Sequence, residues 1–107
     1  MRILSRKRLR QFWQTPNHKA SEGPLQAWYQ HVKQAQWRKF SDVKADFPSA
    51  DKVGSCVVFN LAGNKYRLIT WIRFISGKVF IRHVLTHKQY DEGNWKSDCG
   101  PPPPKLA

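Results

Sequence analysis

Acids are scarce in this sequence. Seven Asp and Glu stand among 107 residues, against 19 Lys and Arg, for a formal net charge of +12. A two-carboxylate mechanism and a divalent-metal nuclease both need clustered acids, so both are disfavoured. Cysteine is scarcer. Cys56 and Cys99 lie far apart and fit no CxxC or zinc-ligand spacing. They are expected as free thiols in a reducing compartment, Cys56 in the core of a strand and Cys99 exposed in a tail. No apolar run approaches the roughly 18 residues of a bilayer span. "MRILSRKRLR" has the positive charge of a signal peptide without the apolar stretch that follows one. The expectation is a cytoplasmic protein with no membrane partner. A glycine-rich phosphate loop, a nucleophile elbow and a Ser/His/Asp arrangement are also missing. No cofactor and no metal are expected.

What is present is positive charge. Residues 1–40 carry nine Lys or Arg and a single acid, Glu22. Such an excess attracts polyanions and opposes the chain's own compaction. Nucleic acid is the first partner it suggests, an acidic protein the second and a membrane surface the third.

The apolar pattern divides the chain in two. "RILS" (2–5) reads as a short strand. Leu9, Phe12 and Trp13 then fall at helical spacing, giving a basic helix over 5–14. A loop by composition (15–24) leads to Leu25, Trp28, Tyr29, Val32 and Ala35, the stripe of an amphipathic helix. The tryptophans are expected to fill a core. "SDVKADFPSA" (41–50) gives a short helix behind an N-cap Ser41. From residue 55 the period becomes two. "SCVVFNL", "NKYRLITWIRF" and "KVFIRHVLT", separated by "AGN" and "ISG", read as a three-stranded antiparallel meander.

Parity assigns the faces. Val57, Phe59, Leu61, Tyr66, Leu68, Thr70, Ile72, Phe74, Val79, Ile81 and Leu85 are expected against the helices, with His83 as a core histidine. The opposite, open face then carries Asn60, Lys65, Arg67, Arg73 and Arg82, with Val84 and Thr86. The fold class is α+β: an N-terminal strand and two helices packed on the meander. Residues 1–96 form the domain. Residues 97–107 form a proline-rich extended appendage, whose closing "KLA" has the look of a cloning scar.

The open face suggests chemistry. Arg67 and Arg82 are placed to reach one phosphate, since guanidinium forks match phosphate oxygens and stabilise charge on a phosphoryl transition state. Histidine is a residue type suited to general acid–base work, which makes His87 a candidate, and Tyr90 is one helical turn on. The plainer reading is that the basic residues are solvated and that His87 and Tyr90 merely cap a strand. His18 and His31 have no partner in view. If the site is catalytic, the residue set suits RNA. The ribose 2′-OH attacks the adjacent phosphate with only His, Tyr, Lys and Arg chemistry, and DNA lacks that hydroxyl. The alternative is a non-catalytic basic module that binds RNA or DNA.

Four stretches, "RILSRKRLRQFW", "LQAWYQHVKQAQWRKFSDVKADFPSAD", "VVFNLAGNKYRLI" and "VFIRHVLTHKQYD", together resemble the HigB toxins of the RelE superfamily. The similarity runs over roughly residues 1–92, with "FNLAGNKYRL" and "THKQYD" its distinctive pieces. It implies a small α+β toxin of a type II toxin–antitoxin system that cleaves mRNA, in many members on the ribosome. It also implies a HigA-like helix-turn-helix antitoxin as partner, with DNA reached only through that antitoxin. By resemblance, Arg67 contacts the scissile phosphate and Arg82 makes a second contact. His87 and Tyr90 take acid–base and base-stacking roles. From the open face itself, Asn60, Lys65, Lys88 and Arg73 are expected to support the substrate. RelE relatives carry strand lysines where this chain, aligned on "YRL", has Val58 and Asn60, which makes His87 the leading general base.

Overall fold

β-branched and aromatic residues alternating along the second half of the chain build the long strands, and the amphipathic first half supplies the helices that cover them. The computed structural model describes residues 1–100. "PPPPKLA", on which the end of the proline-rich appendage falls, lies outside the described residues. In chain order the elements are β1 (Arg2–Leu4), α1 (Arg6–Gln14), a 3-10 turn (Lys19–Ser21), α2 (Glu22–Gln34) and α3 (Phe40–Asp46). There follow β2 (Asp51–Val53), β3 (Cys56–Leu61), β4 (Tyr66–Arg73), β5 (Lys78–Thr86), α4 (His87–Glu92) and a second 3-10 turn (Asn94–Cys99). The architecture is α+β, as expected. The meander is the centre of a five-stranded sheet ordered β1-β5-β4-β3-β2, with β1 parallel to β5 and β2 a short added edge.

One sheet face packs on the helices. Leu9 and Trp13 of α1, Leu25, Trp28 and Val32 of α2, Trp37 and Val43 are buried against Phe59, Leu68, Val79 and Ile81. The tryptophans fill this core, as expected. Trp28 meets Phe59 edge-on at 5.3 Å, and Phe47 does so at 5.1 Å. Each such side chain contributes about 1.5–3 kcal/mol by leaving water. Thr70 is buried at the centre of β4 and is satisfied by donating from its hydroxyl to the Val57 carbonyl at 2.9 Å.

Strand parity holds through β3 and β4 and fails halfway along β5. Ile69 pairs with His83, whereas Thr70 pairs with Ile81, so Arg82 is a surplus residue in a β-bulge. Beyond it the faces exchange. Val84, expected on the open face, packs on the helix-side core, while His83 and Leu85, expected in that core, turn to the other face.

That other face is not open. Cys56, Val58, Ile69, Trp95 and Cys99 form a second buried cluster, with Val53, Trp71, Leu85 and Tyr90 against it. The cover is the segment from α4 through Cys99. An extended appendage from residue 97 was expected; instead Asn94–Cys99 coils into a 3-10 turn whose Trp95 and Cys99 are buried. Cys99 is neither exposed nor free. It forms a disulfide with Cys56, 43 residues away, at a Cα separation of 5.1 Å. An exposed Cys99 follows from its polar neighbours, and only the return of the chain across the sheet brings the two thiols together.

Gly54 makes that return possible. It adopts φ +56° between β2 and β3, and a Cβ there would lie 1.7 Å from the Cys99 carbonyl oxygen and 2.4 Å from that of Gly100. Next to it, the Ser55 amide donates to the Gly100 carbonyl at 3.1 Å. Gly54→Ala therefore meets both a strained φ and a backbone clash. It should destabilise the protein by about 2 kcal/mol or more, read as a lower midpoint in urea unfolding.

Candidate active site

The second sheet face carries the polar residues in rows set by register. Asn60, Arg67 and Leu85 lie across β3, β4 and β5, and Val58, Ile69 and His83 form the next row. In the first row the Arg67 guanidinium donates to the Asn60 side-chain oxygen, in a very short hydrogen bond, and lies over the Tyr90 ring, 4.4 Å from its centroid. Tyr90 in turn stacks on Trp95 at 4.9 Å and 14°. An amide on one side and a ring on the other fix the guanidinium, which spends little further entropy in gripping an anion. Arg67 Nε is buried without a hydrogen-bond partner among the described residues, so donor capacity remains.

A second cationic group sits beyond the Ile69 row. Arg82 lies over the Trp71 ring at 4.0 Å. The bulge places His83 beside it on the same face, and both point at one carboxylate. His83 Nε2 lies 2.6 Å from Asp98 Oδ2, and Arg82 Nη2 lies 3.4 Å from the same oxygen. The Trp71 indole N–H donates to the Asp98 carbonyl at 3.2 Å. The His83 hydrogen bond, and after it the charge of Arg82, hold the Asp98 carboxyl below the usual carboxylate range against the opposing effect of desolvation. Arg67 and Arg82 were expected to converge on one phosphate. Here they stand in separate stacks, since Arg67 and Trp71 are four residues apart on β4, about 13 Å along a strand.

His87 opens α4. Its helix is started by a capping box, in which the Gln89 amide donates to Thr86 Oγ1 and the Gln89 side chain accepts from the Thr86 amide. The His87 amide donates to the Lys65 carbonyl at 3.1 Å, anchoring the helix to the start of β4. The imidazole is 57% exposed and its Nε2 lies 3.1 Å from Asp91 Oδ2, one turn on. An acid thus orients a solvent-facing histidine two residues beyond Leu85, the strand partner of Arg67. Lys88 is exposed beside it. Lys65 Nζ lies 5.6 Å from the Tyr66 ring. Arg73 is exposed at the far end of β4, about 20 Å of strand from Arg67. No group of three or more His, Cys, Asp or Glu is placed to hold a metal among the described residues.

Parity counting missed His83, because it has no term for a surplus residue, and Asp98 fell in the stretch read as an appendage, where no strand pattern reaches. The histidine followed by a branched apolar residue in "RHVL" was the available hint. The remaining histidines do have partners. His18 stacks on Phe12 at 4.3 Å, and His31 Nε2 lies 3.2 Å from Asp46 Oδ2.

A model of the HigB toxins, described as the RelE-like toxic component of a toxin–antitoxin system, matches residues 21–93. The chain belongs to this family. The matched stretch runs from α2 through α4, holding Asn60, Arg67, Arg82, His87 and Tyr90, and ends at Gly93. Relatives of the whole toxin agree. The chain is 37% identical over 79 residues to the mRNA interferase toxin HigB of Escherichia coli (strain K12), covering 71% of this chain and 73% of the relative. The mRNA interferase HigB of Shigella flexneri gives the same figures. A more distant mRNA interferase HigB, from Escherichia coli O6:H1, is 25% identical over 71 residues, covering 64% and 69%. No helix among the described residues is long and apolar enough to cross a membrane.

The Asp98 contacts fix a sign for pH. A carboxyl whose pKa is depressed in the fold stabilises it above the unfolded value and loses that contribution as pH falls through the folded one. Asp98→Asn should therefore be less stable than wild type at neutral pH. The gap should close below about pH 4, as measured by denaturant midpoints across pH.

Proposed function

We propose that this chain is the toxin of a type II toxin–antitoxin pair, a cytoplasmic, metal-independent endoribonuclease that cleaves mRNA on the ribosome. The observation that carries the reading is the Asn60–Arg67–Tyr90 stack, with the His87–Asp91 pair on the helix that carries Tyr90: a fixed guanidinium and an oriented histidine joined through one short helix. The kinship with HigB toxins supplies the substrate class.

The chemistry follows from these groups. His87, oriented by Asp91, takes the proton from a ribose 2′-OH, and the oxygen attacks the adjacent phosphorus. The P–O5′ bond breaks, leaving a 2′,3′-cyclic phosphate; the departing 5′-oxygen takes a proton from water, and His87 returns the one it took to solvent. Arg67 stabilises the phosphorane charge from a position that costs no reorganisation. Tyr90 was expected to stack on a base, but with Arg67 over its ring and Trp95 stacked on it, the ring is better suited to positioning Arg67. Lys65 and Lys88 flank His87 and supply charge for neighbouring phosphates, and Asn60 holds the guanidinium. Arg82 with His83 forms a second phosphate contact along the RNA strand. Arg73 is too distant for the cleavage site and adds to the general attraction for polyanions. The partner that silences this surface is a HigA-like helix-turn-helix antitoxin, through which the toxin reaches DNA.

His87→Ala and Arg67→Ala should each lower cleavage by roughly a hundredfold or more and abolish growth arrest, with unchanged circular dichroism. The assay is mapping of mRNA ends after adding purified protein to translating ribosomes. Full toxicity in both variants refutes this site. RNA that is bound in a salt-dependent way and stays uncut refutes the enzyme in favour of a binding module.

A further inference from the structure

The segment Asn94–Gly100 is attached at four points, one of them the Ser55 amide on the Gly100 carbonyl, and none of its own residues takes a step in the cleavage chemistry above. Trp95 is 3% exposed, plugs the second core and donates from its indole N–H to the Tyr90 carbonyl at 2.9 Å. The Cys56–Cys99 disulfide ties the segment's end to the start of β3. Between these anchors, Asp98 puts its carboxylate on Arg82 and His83 and its carbonyl on the Trp71 indole.

We propose that this segment is a redox-latched strap, in which Asp98 occupies as an internal anion the Arg82–His83 subsite that otherwise takes an RNA phosphate. The proposal rests on the functional reading above, in that it takes the ligand of that subsite to be an RNA phosphodiester. Three features carry it. A carboxylate and a phosphate oxygen are recognised by the same donors, and here a guanidinium and an imidazole meet on a single oxygen. Arg82 Nε is buried without a hydrogen-bond partner among the described residues, so Asp98 does not saturate the guanidinium. The bulge sets Arg82 and His83 side by side on the face that the segment covers, so that both donors reach one oxygen.

The latch is thiol chemistry. Cytosolic disulfides in general are transient or redox-sensing rather than structural. A dithiol reductant opens Cys56–Cys99 by exchange: one of its thiolates attacks a disulfide sulfur, the second resolves the mixed disulfide, and the reductant leaves as its own disulfide. Two electrons and two protons pass to the protein, giving the Cys56 and Cys99 thiols. Without the covalent tie, the strap is held by Trp95, the Asp98 contacts and the Ser55–Gly100 hydrogen bond, and RNA phosphate competes for Arg82 and His83.

The test reads binding separately from cleavage. The probe is a fluorescein-labelled 2′-O-methyl oligoribonucleotide, which cannot be cut, titrated by fluorescence anisotropy with the full chain, oxidised and after dithiothreitol. Reduction should tighten binding roughly tenfold or more, the weight of one charge-assisted hydrogen bond. Asp98→Asn keeps the disulfide and should show the tighter binding without reductant. Asp51→Asn, the same charge change on the exposed edge strand β2, should shift it far less. Cys99→Ser should bind tightly and ignore dithiothreitol, and circular dichroism checks that it is folded. Equal affinity of the oxidised and reduced chains overturns the latch. An Asp98→Asn effect no larger than that of Asp51→Asn overturns the occupied subsite. If binding responds as expected but no mRNA ends appear in the ribosome assay, the strap stands and the nuclease reading falls. If reduced protein cuts mRNA yet binding and cutting ignore the redox state, the nuclease stands and the strap falls.

Discussion

The register shift between Ile69 and Thr70 leaves Arg82 without a partner across β4, and the polar half of the protein is arranged around that residue. A bulge adds one residue to one strand and turns the side chains beyond it to the opposite face. Without it, Leu85 would join the helix-side core and leave the second face without one of its apolar members. Val84 would point away from the core it now helps to fill. With it, two chemically different faces share one sheet: an apolar one against the helices, and a mixed one where Arg67, Arg82 and His83 stand among Ile69, Trp71 and Leu85.

A chain with a net charge of +12 repels itself, and a small domain has little core with which to resist. The structure answers with rings under cations. Arg6 lies over Tyr29, Lys65 over Tyr66, Arg67 over Tyr90, Arg82 over Trp71 and Lys96 over Trp95. Each contact lets an aromatic residue bury one face in protein while its other face carries a charge, at about 0.5–1 kcal/mol where exposed and more where desolvated. The same contacts hold Arg67 and Arg82 in place. The device that makes the charge tolerable also makes it useful, because a guanidinium already stacked loses less freedom when it meets a phosphate.

The C-terminal turn completes the second face. Trp95 supports Tyr90, which supports Arg67, so the proposed cleavage site depends on a segment far from it in sequence. Asp98 sits at the other end of the same turn on Arg82 and His83. One short piece of chain therefore bears on both cationic groups, through the Trp95–Tyr90 stack at one and a carboxylate at the other, which is why its attachment to Cys56 bears on both.

The amphipathic stripe of Leu25, Trp28 and Val32, the alternation through β3 and β4, and the hairpins between strands were legible because each follows from local periodicity. Asn60 and Arg67 were legible for the same reason: they lie before the bulge, where parity still holds. The HigB-like pieces "FNLAGNKYRL" and "THKQYD" pointed to the family and to His87 and Tyr90. The sequence by itself determined what depends on neighbours within a few residues: element types, the helix-side core, the excess of positive charge and the residue types of the site. Tertiary structure alone decided the rest. The surplus residue at Arg82 is a matter of pairing between strands, and the disulfide needs 43 residues of chain to fold back. Asp98 meets His83 only because Gly54 lets two backbones approach where any side chain would collide.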